Sequence, residues 1–541
     1  MIHNKSAFIN YFFITVIIFV LIGVFLPTIF HMFATPQNTF YSLADGYTFD
    51  YYQYMSWIKQ GMDGHLLLTS PYTEIPYPRV LIHPFFPILG MIAKLFSVSP
   101  FIAYAFSRIT ATVIFIFVFY ILTSKSLNLP SARFISLFLF LTSTGFWTIS
   151  YDKNIYSLVE PISWNQSFNV IGKFSLPPHH LLALSFSILT YLLLIKKRKR
   201  ILDPSLSILL GILTGFLNPS TLLFTDVILF CTLLPLFLIY RDKFKWFISK
   251  ALLFLTFTSP VLLYHFYLFN HFLPWSLMYK LMQSFNPSVS LVSYLLSLGP
   301  VFPLALYAII TKKTSSSPLH LLLSFWTILP VILFLFRSVL PVNNSRIFQS
   351  YQYIPMTIVA AIGLQSLTLK LARFKIKRKV IIFLFLSFFG IFAFLPYVMT
   401  INKSVRVIST NFYNIYLPKT LLGAFDRLEK QAPRGSVVLA GEYVSSMIPV
   451  FTNNRTILGR EDSAPDYFQK QTESYTFLDG LMGEKETWEF LQKYSISYIL
   501  SGVDTIPYET LRIKSYPFLT EIYRNQNVSV LQVRLENIVN Y

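Results

Sequence analysis

Residues 178–200 read PHHLLALSFSILTYLLLIKKRKR. Apolar side chains run with few interruptions from Leu181 to Ile195, and then five cations, Lys196 to Arg200, follow without a break. Crossing a bilayer core takes roughly 20 apolar residues in a helix, and cations crowd the cytoplasmic ends of such helices. Residues 178–195 therefore read as a membrane span that ends at the cytoplasmic face. Further stretches of the same kind lie near 10–33, 101–123, 134–150, 204–217, 220–240, 251–273, 291–311, 318–337, 351–371 and 380–400. The 204–217 stretch is short and ends at Asn218-Pro219, so it and its successor read as a broken helix. Composition agrees. Of 541 residues 54% are hydrophobic, 18% aromatic and 13% charged, with a mean hydropathy of +0.55. A soluble domain carries about 25% charged residues. An ordinary soluble enzyme, a disordered tail protein and a disulfide scaffold are excluded; the single cysteine, Cys231, has no partner in the chain.

The net charge of +20 would suit nucleic acid, so its distribution decides. With the N-terminus inside, the head and the loops 124–133, 196–203, 241–250, 312–317 and 370–379 carry 20 basic residues against two acids, Asp203 and Asp242. The opposite loops, 34–79, 151–177, 274–290 and 338–350, hold six of each sign, and the tail from 401 holds 15 of each. The excess is the positive-inside bias of a membrane protein, and no nucleic-acid partner is called for. The apolar segment 80–97 is a test of this layout: as a full span it would carry Lys196 to Arg200 outside. It therefore reads as an interfacial or re-entrant helix, leaving eleven spans and an outside tail. The first apolar run is too long for a cleaved signal and lacks a small-residue cleavage site.

From 401 the long apolar runs stop and charge rises. Residues Ser436 to Ala440 and Ser497 to Leu500 read as strands. Pro465 to Leu478 and Glu484 to Tyr494 read as helices, with Asp462-Ser463 as capping candidates for the first. The fold class is thus an all-α polytopic membrane domain of about 11 transmembrane helices over 1–400 and a small α/β extracytoplasmic domain over 401–541.

Loops as long as 34–79 are usually functional. This one carries Asp45 and Asp50 to Tyr54, then Trp57, Gly61, Asp63, Gly64 and Arg79, with His83-Pro84 just beyond. In a helix from Asp50 to Gln60, Asp50, Tyr54 and Trp57 share one face. A carboxylate beside aromatics at the membrane surface suits a general base; equally, Asp50 suits a helix cap and the aromatics an interfacial belt.

Asp-x-x-x-Tyr in a long first outer loop, then a Gly, then His-Pro before the next membrane segment, resembles the GT-C superfamily of membrane glycosyltransferases. The relevant types are protein mannosyltransferase, aminoarabinose transferase and glycosyltransferase family 39. The matching residues are Asp50, Tyr54, Gly61 or Gly64, and His83-Pro84. The tail segments Val450 to Arg455, Leu458-Gly459, Ala464 to Tyr467 and Tyr494 to Ile499 are similar to the C-terminal segment of bacterial members. The resemblance implies a GT-C-like enzyme of the cytoplasmic (inner) membrane that takes a sugar from a polyprenyl-phosphate donor and transfers it with inversion. It implies that Asp50 acts on the acceptor hydroxyl. Many members have Asp-Glu where this chain has Asp50-Tyr51, and Asp45 to Asp50 is not an Asp-x-Asp spacing. A divalent cation stays open, and no residue is assigned to a metal.

A lipid phosphate needs cationic donors at the outer boundary, for which Arg is the better-shaped group. Candidates are Arg79 and His83, Lys173 with His179-His180, and Arg337 and Arg346. Arg108 and Asp226 lie about two turns inside their spans, either as functional groups or as a structural pair. His179-His180 fits a helix start better than a metal site. In the second outer loop, Glu160 and Trp164 make a candidate sugar or acceptor surface, with Glu160 or Asp152 as a second acid. There is no Walker A sequence, dinucleotide fingerprint, His-Glu-x-x-His or CxxC, so an activated substrate should arrive in the membrane or from outside. The expected partners are the lipid-linked donor, membrane lipids and an extracytoplasmic glycan, lipid or protein acceptor. The competing readings are a lipid or glycan transporter and a noncatalytic GT-C-like envelope scaffold.

Overall fold

Long runs of Leu, Ile and Phe leave no polar partner for the backbone except itself, and in such runs a helix satisfies every amide internally. The computed structural model describes residues 2–44, 48–152, 155–162, 171–197, 202–284, 288–311, 317–338, 343–348, 350–374, 377–406, 415–505, 516–526 and 528–534. Among these, seven helices are long and apolar enough to cross a membrane, and a bent pair makes eight. They are Ile14–Phe33, Pro100–Ser126, Pro178–Ile195, Pro219–His271, Pro318–Leu335, Tyr353–Leu371 and Arg378–Asn402, with Leu291–Ser297 and Val301–Ile310 meeting at 96°.

The difference from the eleven expected spans has three sources. Pro130–Thr142 and Leu202–Leu217 are helical but short. Residues 134–150 do not stay helical, because the chain turns into a hairpin from Thr148. The 220–240 and 251–273 stretches join in one 53-residue element with non-helical backbone at Tyr240 and Phe244. Its 53 residues, kinked between Tyr240 and Phe244, are far more than the roughly 20 that one crossing needs. The broken pair expected at Asn218-Pro219 is present as two helices, Leu202–Leu217 and Pro219–His271.

Nine strands occur among the described residues: β1 (Thr39–Tyr41), β2 (Thr148–Asp152), β3 (Ile155–Val159), β4 (Tyr416–Pro418), β5 (Val437–Leu439), β6 (Arg455–Thr456), β7 (Ile496–Ser501), β8 (Leu519–Arg524) and β9 (Ser529–Val533). The chain packs as two units. The first comprises Met1–Leu26, Phe106–Phe266 and Met282–Lys403. Its core runs through Phe119, Phe140, Ile188, Leu222, Phe254, Leu322 and Ile358, and it carries the β2–β3 hairpin.

The second unit comprises Pro27–Ala105, Tyr267–Leu281 and Ser404–Tyr541, so the first-loop region packs with the tail. β1 pairs antiparallel with β4, setting Tyr41 opposite Tyr416. The tail builds a five-stranded sheet in the order β6-β5-β7-β9-β8, with β5 parallel to β6 and β7 and the β7–β9–β8 edge antiparallel. Around it stand Lys419–Gln431, Glu442–Phe451, Tyr467–Leu478 and Glu484–Lys493. Leu439, Leu458, Phe477, Leu491, Ile499 and Leu531 form the core of this sheet and its helices. Asp462 and Ser463 do not cap the third helix as expected. Asp466, in left-handed backbone at φ 53°, precedes it, and the Asp462 carboxylate is engaged by an arginine instead.

Candidate functional site

In the second unit the helix Thr48–Met62 carries Asp50 in its first turn, where an anion meets the positive end of the helix. Its inner face buries Tyr51, Tyr52, Met55, Trp57 and Ile58. The following helix, Phe85–Leu95, lies against it at backbone distance: a Cβ on Gly90 would strike the Ile58 carbonyl oxygen, and one on Gly61 that of Pro87. Tyr54 stacks on Phe86 with ring centroids 4.6 Å apart and planes at 8°, and Trp57 stacks on His83 at 5.1 Å and 21°. These aromatics are interior packing, not the interfacial belt considered from the sequence. Phe85–Leu95 has 11 residues, about 16 Å, too short for a span. Its far face leaves Ile88, Met91, Ile92, Leu95 and the adjoining Phe96 exposed.

Asp50 faces a cation from the far end of the sequence. Its Oδ1 accepts from Arg460 Nη1 at 3.0 Å, while Arg460 Nε and Nη2 donate to the two oxygens of Asp462 at 2.9 and 2.7 Å. Ser463 Oγ donates to Asp462 Oδ1 at 3.0 Å. The Arg460 and Asp462 side chains are 10% and 11% exposed; that of Asp50 is 54% exposed. Burial alone would weaken the arginine's charge, but Asp462 and then Asp50 outweigh it and raise its pKa. Burial likewise opposes the Asp462 charge, and Arg460 reverses this, holding the carboxyl below its ordinary value. Arg460 is thus a fixed, charged fork whose third contact is Asp50.

The segment around Tyr72 ties the loop to the tail beside this fork. Tyr72 is fully buried and donates to the Ser446 carbonyl at 3.2 Å, and Thr456 N donates to the Pro71 carbonyl at 3.0 Å. Glu74 takes Lys470 Nζ on both oxygens, at 2.7 and 2.8 Å, and Arg455 donates to the Glu74 carbonyl. Arg79 belongs to the other end of the loop helix. Its Nη1 donates to Gln60 Oε1 at 2.8 Å and to the Leu67 carbonyl at 3.2 Å. Gln60 lies ten residues beyond Asp50, about 15 Å along the axis.

The remaining candidates lie in the first unit. His179 is buried at the start of Pro178–Ile195, edge-on to His180, whose Nδ1 is 2.8 Å from the Tyr351 hydroxyl. Arg346, on Asn344–Phe348, is close enough to act electrostatically on Tyr351, and its Nη2 is 3.4 Å from Met282 Sδ. Arg346, His180 and Tyr351 therefore form one group. Lys173 is held by main-chain and hydroxyl oxygens. Its ammonium is buried, and three contacts take it up: the Phe140 and Ser143 carbonyls at 2.8 and 2.6 Å and Ser143 Oγ at 2.7 Å. An ammonium has three N–H donors, and burial pulls its pKa well below the usual lysine value. Glu160 is half-buried after β3 and lies near Tyr353, over whose ring Lys173 sits at 5.0 Å. Arg108 is buried over the Phe25 ring at 5.2 Å, and the hydrogen-bond partner of Asp226 is Thr258, at 3.5 Å, not Arg108. Trp164 and Asp45 lie outside the described residues.

Sequence reasoning missed Arg460, Glu74 and Lys470. Arg460 stands in a charged run, Gly459-Arg460-Glu461-Asp462, whereas Glu74 and Lys470 stand between uncharged neighbours and carry no local signal. Gly459, at φ 102°, packs its backbone on Ser445 and Ser446, which brings Arg460 into the interior. Among the described residues no three His, Cys, Asp or Glu side chains cluster together.

No protein-family model matches this sequence, and no curated protein matches it. Solved structures do. An oligosaccharyltransferase from Archaeoglobus fulgidus, tethered with an acceptor peptide, matches with TM-score 0.52 at 14% identity, over 92% of this chain and 70% of its own. ArnT from Cupriavidus metallidurans, bound to undecaprenyl phosphate, matches with TM-score 0.52 at 11% identity, over 95% of this chain and 97% of its own. The arabinofuranosyltransferase AftD from Mycobacteria matches with TM-score 0.53 at 13% identity, over 95% of this chain and 40% of its own. At these identities the likeness shows a shared fold and nothing more.

Proposed function

On the premise of that fold, we propose that the protein is a membrane glycosyltransferase that moves a sugar from a polyprenyl-phosphate donor to an extracytoplasmic acceptor, with inversion. The acceptor is a cell-envelope glycan, lipid or protein. The observation that carries this reading is Asp50: half-exposed in the first turn of the loop helix, with one oxygen held by a buried arginine. In the proposed step the acceptor oxygen bonds to the anomeric carbon as the bond from that carbon to the carrier phosphate breaks. Asp50 takes the hydroxyl proton and the polyprenyl phosphate leaves. The ArnT structure holds undecaprenyl phosphate, and an Archaeoglobus fulgidus oligosaccharyltransferase is known with a dolichol-phosphate; both fit a lipid carrier here. Arg346 with His180 in the first unit, and Arg79 in the second, are separate candidates for a phosphate contact.

The placement proposed is the cytoplasmic membrane, N-terminus inside and residues 401–541 outside, which the distribution of basic loops supports. Phe85–Leu95 then rests its exposed apolar face in the lipid interface, consistent with its length and pattern. The test uses purified protein in detergent, radiolabelled polyprenyl-phosphate sugars and an envelope acceptor extract. Incorporation by wild type should fall about 100- to 10,000-fold in Asp50→Asn. Full transfer by that variant would remove Asp50 from the chemistry. No incorporation by folded wild type with any donor would favour a transporter or a noncatalytic scaffold.

A further inference from the structure

The contacts at Asp50 give the C-terminal segment a definite task. Resting on the reading of Asp50 as the base, we propose that Arg460 is a positioning residue for it, so that residues of the C-terminal segment complete the catalytic site.

Three observations converge on this. First, Arg460 is not a flexible surface cation that happens to meet Asp50. Its side chain is 10% exposed and two of its nitrogens are fixed on Asp462, itself buried and held by Ser463. Second, the third nitrogen, Nη1, is committed to a single oxygen of Asp50. Asp50 Oδ2 has no hydrogen-bond partner among the described residues, and over half of the side chain is open to solvent. One oxygen is therefore anchored and the other is presented. That is the division a proton acceptor needs: a fixed orientation and a free lone pair. Third, the backbone around the arginine is fixed to the loop that carries Asp50. Tyr72 is buried next to Arg460 and Asp462 and bonds to Ser446, Thr456 bonds to Pro71, and Gly459 lies on Ser445 and Ser446. The guanidinium is thus referenced to the same body as the carboxylate that it holds. A mobile acid at the mouth of a loop would waste much of its encounter with the acceptor; misplacement by about 1 Å can lower a rate about 100-fold.

The planar fork is the part that matters. Lysine keeps the charge but binds as a point, without the two parallel bonds to Asp462 that fix the direction of Nη1. Because Arg460→Gln alone would leave Asp462 buried without its partner, the variant of choice removes both charges, Arg460→Gln with Asp462→Asn.

The experiment measures kcat and KM for the full-length protein in detergent, with the labelled lipid-linked sugar and acceptor fraction that wild type uses. Compared are wild type, Asp50→Asn, Arg460→Lys, Arg460→Gln/Asp462→Asn, and the triple variant with Asp50→Asn. The expected result is a fall in kcat of about 10- to 100-fold in the Arg460→Gln/Asp462→Asn variant, with KM changed less than about threefold. Arg460→Lys should fall between that variant and wild type. In the triple variant the loss should equal that of Asp50→Asn alone, because a residue acting through Asp50 has nothing left to act on.

Multiplicative losses in the triple variant would overturn the proposal. So would wild-type kcat in Arg460→Gln/Asp462→Asn while Asp50→Asn is inactive; that outcome leaves the role of Asp50 standing. Wild-type transfer by Asp50→Asn, or none by wild type, would overturn both readings together.

Discussion

Replacing Lys470 by Met should loosen the attachment of the first loop to the tail, by an amount that the geometry sets. Lys470 and Glu74 are 5% and 16% exposed, and both carboxylate oxygens take the ammonium, at 2.7 and 2.8 Å. Removing one member of a buried pair strands the other charge and costs about 3–5 kcal/mol. The arginine bond to the Glu74 carbonyl survives the change, so the lower end of that range is the better expectation. Since 1.4 kcal/mol is a factor of ten, amide hydrogen exchange over residues 70–77 and Tyr467–Leu478 should quicken about 100- to 1,000-fold where local opening limits exchange. The assay is native-state exchange with mass-spectrometric readout on the detergent-purified protein. Lys470→Met combined with Glu74→Gln should be less damaging than the two single losses summed, with a coupling of about 1–3 kcal/mol. Less than a threefold change in Lys470→Met, or strict additivity in the pair, would refute the view that this ion pair holds the loop.

Two other tests address the same unit. The Asp504 carboxyl accepts from Val444 N at 3.0 Å, and burial, aided by the nearby Glu442, raises its pKa above the ordinary aspartate value. The fold then binds that proton more tightly than the unfolded chain does. Stability should therefore fall as pH rises from the ordinary value through the raised one and stay lower above it. Asp504→Asn should remove that slope in a melting-temperature series against pH. Gly90→Ala should separate the two loop helices, since the new methyl would meet the Ile58 carbonyl; overpacking of this kind costs about 1–3 kcal/mol. A melting temperature equal to that of wild type would show that the helices shift apart without strain.

What the sequence made legible follows from which features are local. Membrane helices are local: apolar length and a terminal charge cluster announce them, as at 178–200. The strands at Val437–Leu439 and Ile496–Ser501 were legible for the same reason. The count of eleven spans is not confirmed where helices are short, bent or kinked, because those features are decided by packing and not by composition. The site was only half legible. Asp50 could be singled out from its loop, but its partner is 410 positions away, and no spacing rule reaches so far. Asp462 was misread because an acid just before a helix has the look of a cap, and only the fold shows its carboxylate turned to Arg460. Lys173 shows another kind of non-local contact. A lysine in an outer loop suggests an anion, yet its charge is spent on carbonyls that sequence cannot locate.

The pairing of β1 with β4 has a bearing on biogenesis. Tyr41 and Tyr416 are opposite one another in the finished sheet but about 375 residues apart in the chain. At a synthesis rate of about 5–20 residues per second, Tyr41 leaves the ribosome roughly 20–75 s before its partner exists. For that interval the edge formed by Thr39–Tyr41 lacks its native ladder, and the Asp50 loop lacks the segment that carries Arg460. Insertion of the intervening helices must therefore proceed with the first loop unassembled, and a nascent chain stalled before residue 416 should expose that loop to proteases and quality-control factors.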